Sequence, residues 1–171
     1  MTPVTGRRQL IVMRHAKAEP FASSDQVRVL TDRGHSEAAG AGLWLAERGV
    51  RPGYAVVSTA ARTRETWADV ARASGAEAEV TFDDALYHGG GDEALESLRS
   101  VPEDVETVIL IGHNPTTAFV AHMLDNGEGD TEAISGLLRG FPPSAVVVFD
   151  VEVPWAELAA DSGRVTAFYT P

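Results

Sequence analysis

An α/β fold is what this sequence predicts: a three-layer α/β/α sandwich around a mostly parallel central sheet, with an antiparallel strand at one edge. Three observations carry the prediction. Short β-rich apolar runs alternate with longer helical patterns along the chain, the grammar of repeated βαβ units. Two of those runs, "TVILIG" and "AVVVFDV", are apolar almost throughout, which suits a parallel sheet covered on both faces. The last run, 164–170, follows a link too short for a standard crossover helix, so it lies at an edge or runs antiparallel.

The elements follow in order. Strands are predicted at 9–13, 54–58, 78–82, 107–112 and 145–151, and helices at 32–48, 61–74, 92–100 and 115–124. Thr31 can cap the first helix through its hydroxyl and Gly49 can end it in the left-handed region. "HGGGDE" and "DNGEGDTEAISG" read as Gly-rich loops, the second long enough to form part of a binding rim. No repeat or linker interrupts the pattern, so residues 1–171 are expected to form one domain.

Composition narrows the chemistry. The chain is 44% hydrophobic but has no run near the ~20 apolar residues of a membrane span. The apolar stretch of "MTPVTGRRQLIVM" is too short for a secretory leader, and a cytoplasmic protein is expected. With no cysteine, thiolate nucleophiles, disulfides and Cys-based zinc sites are excluded together. A formal charge of −11 argues against nucleic-acid or anionic-membrane partners, which need clustered Lys and Arg.

"LIVMRHAKAEP" ends an apolar strand on two basic side chains. Neighbours in a strand point to opposite faces, so Arg14 and His15 can act together only where the strand has stopped and the chain turns. Ligands of such sheets bind beyond the carboxyl ends of the strands. Collecting what stands there gives Arg14 and His15 after the first strand, Ser58 and Arg62 after the second ("STAARTRET"), and His113 in "GHNP" after the fourth. Two guanidinium forks matching phosphoryl oxygens make an anion pocket, and a phosphate is its natural guest. Asn114 can cap the next helix with Pro115 at its first position, bringing backbone N–H groups near His113. A histidine in that field tends to lose its proton, and neutral imidazole is a competent nucleophile toward phosphorus, so either His15 or His113 could attack.

Each residue also has a plainer reading. Taken alone, the Arg-His pair is a solvated loop or structural ion pair, and Arg62 a helix-surface charge paired with Glu65 or Thr66. The coincidence of three separate segments favours the pocket. His35 and His122 lie inside predicted helices and read as packing or surface residues, and Trp44, Trp67 and Phe119 as core or half-buried aromatics. His15, His88 and His113 lack zinc-ligand spacing, and the arginines would repel a cation, so no metal is expected.

"RHAKAE", "STAARTRET" and "IGHNP" together resemble the motifs of the histidine phosphatase superfamily. "VRVLTDRG", the short chain and the C-terminal "PWAELAADSGRVTAFYTP" are similar to its small SixA-type phosphohistidine phosphatase branch. The resemblance spans nearly the whole chain. It implies that His15 is a nucleophile that becomes transiently phosphorylated, that Arg14, Arg62 and His113 hold the phosphoryl oxygens, and that no metal or other cofactor takes part. Ser58, Lys17, Arg28 and Asn114 are further candidates for substrate contact. Ala16 stands where that family usually has glycine, and the segment after the third strand lacks a clear acid: Asp83, Asp84, Asp92, Glu93 and His88 are the groups available there.

The expected function is therefore hydrolysis of phosphohistidine through a covalent intermediate. The expected partner is a phosphorylated protein or a small phosphorylated molecule. A broader small-molecule phosphomonoesterase and a non-catalytic phosphate-binding protein are the competing readings.

Overall fold

The structure, a computed structural model, describes residues 6–171. The expectation about a leader lies partly outside them, since it includes residues 1–5. Six strands form one mixed sheet: β1 (Arg8–Arg14), β2 (Tyr54–Ser58), β3 (Glu79–Asp83), β4 (Thr107–Gly112), β5 (Val146–Val151) and β6 (Gly163–Tyr169), in the order β3-β2-β4-β1-β5-β6. β3, β2, β4 and β1 are mutually parallel, with Met13 opposite Ile111 and Val57 opposite Ile111 in register.

β5 departs from the parallel pairing that its continuous apolar sequence suggests. It runs antiparallel to β1 and to β6. Burial on both faces makes a strand apolar throughout whichever way it runs, so periodicity alone could not set its direction. β6 lies at the edge and antiparallel to its neighbour, as its short link requires.

Two apolar layers sandwich the sheet. On one face Ile11, Met13, Val57 and Ile111 pack with Leu45 and Trp67 from α1 (Asp32–Glu47) and α2 (Ala61–Ser74). A short α3 (Ala85–His88) follows β3. On the other face Leu10, Val12 and Leu110 pack with Leu98, Leu124 and Leu137 from α4 (Gly91–Arg99), α5 (Thr116–Leu124) and α6 (Thr131–Arg139). Alternate residues of β1 thus feed opposite cores, as the period of two demands. Among the described residues no helix is long and apolar enough to cross a membrane.

Thr31 caps α1 by accepting Gly34 N–H at 2.9 Å, and Gly49 follows its end with φ of 69°. Helix α6 occupies part of the segment read as loop. Its glycines suggested a coil, but Asp130 accepts Ala133 N–H at 2.8 Å as the cap. Gly136 sits against β6 where a Cβ would come within 2.5 Å of the Phe168 ring, so this glycine serves close packing rather than a turn.

Candidate active site

β1 and β4 end side by side, with Arg14 opposite Gly112, and the turns that follow both strands meet there. His15 N–H donates to the Gly112 carbonyl at 3.0 Å and its own carbonyl accepts Ser144 N–H at 3.1 Å, which fixes the residue between β4 and the start of β5. The His15 and His113 ring centroids lie 5.3 Å apart.

His15 is buried, and its Nδ1 lies 2.7 Å from the Ala16 carbonyl. A carbonyl can only accept, so Nδ1 carries the hydrogen and the lone pair is on Nε2. Ala16 donates its own N–H to Thr66 Oγ1 at 3.0 Å, tying the turn to α2. Its φ is not positive, so the methyl group in place of glycine introduces no backbone strain.

Arg62, in the first turn of α2, is 5% exposed. Its guanidinium pairs with neither Glu65 nor Thr66: Glu65 accepts Leu30 N–H at 2.7 Å, and the Thr66 hydroxyl donates to the main-chain carbonyl of Arg62 at 2.6 Å. Arg62 instead donates Nη1 to the Asp25 carbonyl at 2.9 Å and Nη2 to Asp25 Oδ2 at 3.1 Å. Arg14 donates Nη1 to the Phe141 carbonyl at 3.3 Å. Each guanidinium is held by its tip, and Arg14 Nε and Arg62 Nε are left buried without a partner, as is His113 Nδ1. Buried polar groups are rarely unsatisfied, so three such atoms from three segments leave donor capacity matching an oxyanion.

Both imidazoles are neutral at physiological pH. Burial, reinforced by the positive charges of Arg62 and Arg14, pushes His15 down to about 4. Burial and Arg62 push His113 down to about 3. An unfolded histidine titrates near 6.5, so the unfolded chain takes up protons in a range where the folded one does not. Stability from both residues is therefore complete above pH 6.5 and is lost as pH falls, toward 4 for His15 and toward 3 for His113. For His15 the loss reaches on the order of 3 kcal/mol. Thermal denaturation across this range should show Tm falling with acidification, and replacing His15 with Gln should flatten that dependence.

The remaining candidates separate clearly. Ser58 is buried, with Oγ 2.7 Å from His113 Nε2. Arg28 reaches the site rim, donating Nε to Asp25 Oδ1 at 2.9 Å and Nη1 to the Glu19 carbonyl at 3.0 Å. Asn114 borders the site, but its amide ties a loop to the start of α5: Nδ2 donates to the Phe141 carbonyl at 2.8 Å, and Oδ1 accepts from the Thr117 hydroxyl at 2.6 Å and from Ala118 N–H at 3.3 Å, a capping contact in the first turn of α5. Pro115, joined to it by a cis bond, precedes α5 rather than opening it. Lys17 is exposed and contributes its carbonyl, which accepts Thr31 N–H at 3.0 Å, while its ammonium makes no hydrogen bond among the described residues.

Three carboxylates at and after the end of β3 have structural tasks. Asp83 accepts from Ala85 N–H and the Ser97 hydroxyl, Asp84 from the Thr59 hydroxyl, and Glu93 from Gly90 N–H. Asp92 lines a separate cleft with Tyr54 and Val56. His88 packs edge-on against Tyr87, with ring centroids 4.7 Å apart, and Tyr87 in turn packs edge-on against His113 at 5.7 Å. His35 pairs with Asp69 at 2.7 Å between α1 and α2, and His122 is exposed.

Sequence reasoning missed Asp25, Tyr87 and the Phe141 carbonyl. Asp25 stands three residues before Arg28 in the same short segment, a visible signal, and it also accepts the Tyr87 hydroxyl at 2.7 Å. That bond, with those from Arg28 and Arg62, holds its carboxyl well below the usual carboxylate range. A main-chain carbonyl such as that of Phe141 leaves no mark in sequence.

Residues 10–107 match the family described as histidine phosphatase superfamily (branch 1). The SixA protein of Nakamurella multipartitia is similar at 36% identity and a TM-score of 0.86 over 97% of both chains. That of Agrobacterium tumefaciens is similar at 31% identity and 0.78, over 95% of this chain and 98% of the other. The protein ML1117 of Mycobacterium leprae is 32% identical over 93% of this chain and 99% of its own length.

Proposed function

Since this chain belongs to the histidine phosphatase superfamily, in its SixA-type branch, and is a phosphatase, we propose that its substrate is phosphohistidine and its mechanism a covalent one on His15. The observation that carries this is the hydrogen-bond geometry: His15 Nδ1 is committed to the Ala16 carbonyl, leaving Nε2 its lone pair, and the Asp25 carboxylate accepts from Tyr87, Arg62 and Arg28. The two imidazoles are neutral, and the carboxylate at the pocket, Asp25, is ionised. Among the described residues the site thus offers a nucleophile ready to attack, while Asp25 is held as an acceptor and Asp83, Asp84 and Glu93 are engaged in structural hydrogen bonds.

The reaction needs no carboxylic acid when the leaving group is imidazole. The Nε2 lone pair of His15 forms a bond to phosphorus as the bond from phosphorus to the substrate ring nitrogen breaks, and the bonding pair returns to that nitrogen. A substrate ring already protonated on its other nitrogen departs as neutral imidazole. Water then attacks phosphorus, the bond to Nε2 breaks, and dihydrogen phosphate leaves with His15 restored. Arg14 Nε, Arg62 Nε and His113 Nδ1 hold the transferring oxygens. Ser58 Oγ accepts Ala60 N–H at 3.5 Å, which leaves its own hydrogen for Nε2 of His113 at 2.7 Å; the His113 hydrogen is then on Nδ1, available to the anion. The substrate would be a phosphorylated protein or a small phosphoramidate.

An alkoxide leaving group would need a positioned acid, a contribution of about 10²–10⁴-fold. Values of kcat/KM should therefore fall in the order phosphohistidine, aryl phosphate, serine phosphate. Vanadate should compete with substrate and EDTA should have no effect. Equal efficiency on serine phosphate, lost when Asp84 or His88 is replaced by Ala, would identify a general phosphomonoesterase instead.

A further inference from the structure

A carboxylate bonded to an arginine of the proposed phosphate site needs a reason, because it repels the anion that the arginines attract. Asp25 is carried by the segment between β1 and α1, which is closed by an antiparallel bridge from Ala18 to Leu30. About half of its side chain is exposed, and it lines an open cleft with Pro20, Phe21, Ser24 and Arg28. Bracing Arg62 is an incomplete explanation. The main-chain carbonyl of Asp25 already holds Arg62 Nη1 at 2.9 Å, so the arginine has a neutral anchor without the charged group. Three donors converge on the carboxylate, Tyr87 on Oδ2 at 2.7 Å, Arg62 on Oδ2 at 3.1 Å and Arg28 on Oδ1 at 2.9 Å. They fix its position at the mouth and keep it ionised.

In-line displacement puts the leaving group opposite the attacking nitrogen. His15 is buried, so the departing group would leave toward the open side, and Asp25, half exposed and bonded to Arg62, is a carboxylate available at that edge of the site. We propose that Asp25 is a specificity-determining residue whose carboxylate accepts the free ring N–H of a protonated leaving imidazole, selecting cationic nitrogen leaving groups over oxygen ones. This rests on the phosphohistidine reading above. The contact orients the ring for in-line departure and favours its protonated form, which leaves as neutral imidazole with no further proton. The same charge opposes the anion that develops when an oxygen ester is cleaved.

The test is Asp25→Asn, which keeps the shape and the main-chain anchor of Arg62 but removes the charge. Activities toward a phosphohistidine peptide, para-nitrophenyl phosphate and serine phosphate are compared with wild type, together with vanadate inhibition. Loss of a charge-assisted hydrogen bond should lower kcat/KM on the phosphohistidine peptide by about ten- to a hundredfold. Removing a repelling charge should raise that on para-nitrophenyl phosphate and tighten vanadate by about two- to fivefold. Equal losses on both substrates with weakened vanadate would reduce Asp25 to a brace for Arg62 and overturn the proposal, as would selective loss of serine phosphate hydrolysis, the mark of a proton donor. A wild type with no preference for phosphohistidine rejects the substrate reading itself. A wild-type preference that survives in the variant rejects only the role of Asp25.

Discussion

His15→Ala should abolish turnover, lowering kcat on the order of 10⁴-fold or more, and should remove the phosphoenzyme with it. The reason is geometric as well as chemical. Of the two neutral imidazoles, His15 has Nδ1 committed to the Ala16 carbonyl, so its Nε2 must present a lone pair. His113 Nε2 is paired with Ser58, and its Nδ1 is buried without a partner, an arrangement suited to donation. His113→Ala should therefore slow transfer strongly while leaving a detectable acid-labile, alkali-stable phosphoenzyme. Mass spectrometry of the trapped protein should place the phosphate on residue 15. Retention of turnover and phosphoenzyme in His15→Ala would move the nucleophile elsewhere.

Arg62→Lys should reduce kcat by about ten- to a thousandfold despite conserving charge. Arg62 does two things at once: its two Nη atoms hold the Asp25 carbonyl and carboxylate, and its Nε is directed elsewhere, buried and unpaired. A lysine offers one ammonium at the end of a flexible stem and cannot hold both ends of that arrangement. Arg14→Lys should cost less, because Arg14 is more exposed and its tip is held by a single, longer bond to the Phe141 carbonyl. Single-turnover rates separate the chemical step from binding. Near-normal rates in Arg62→Lys would make this arginine a structural anchor only.

Much of this protein is legible in its amino-acid sequence. Alternating β-rich and helical runs specify the layered fold, because strand and helix bury apolar residues at different periods, and helix α2 falls where its pattern puts it. The clustering of Arg14, His15, Arg62 and His113 is readable too, since βαβ order forces the ends of β1, β2 and β4 to one edge of the sheet. Three features needed the tertiary structure. The direction of β5 did, because a strand buried on both faces carries no directional signal. Helix α6 did, because Gly136 looks like a breaker until Phe168 is seen to occupy the space of its missing side chain. The third is Asp25. Its bonds to Arg62 and Tyr87 join residues 37 and 62 positions apart. Ionisation, burial and the choice of partner are properties of such long-range neighbours. Residue types and their spacing brought the arginines and histidines to one site, and tertiary packing decided that both rings are neutral, where each guanidinium tip is anchored and which buried nitrogens are left without a partner.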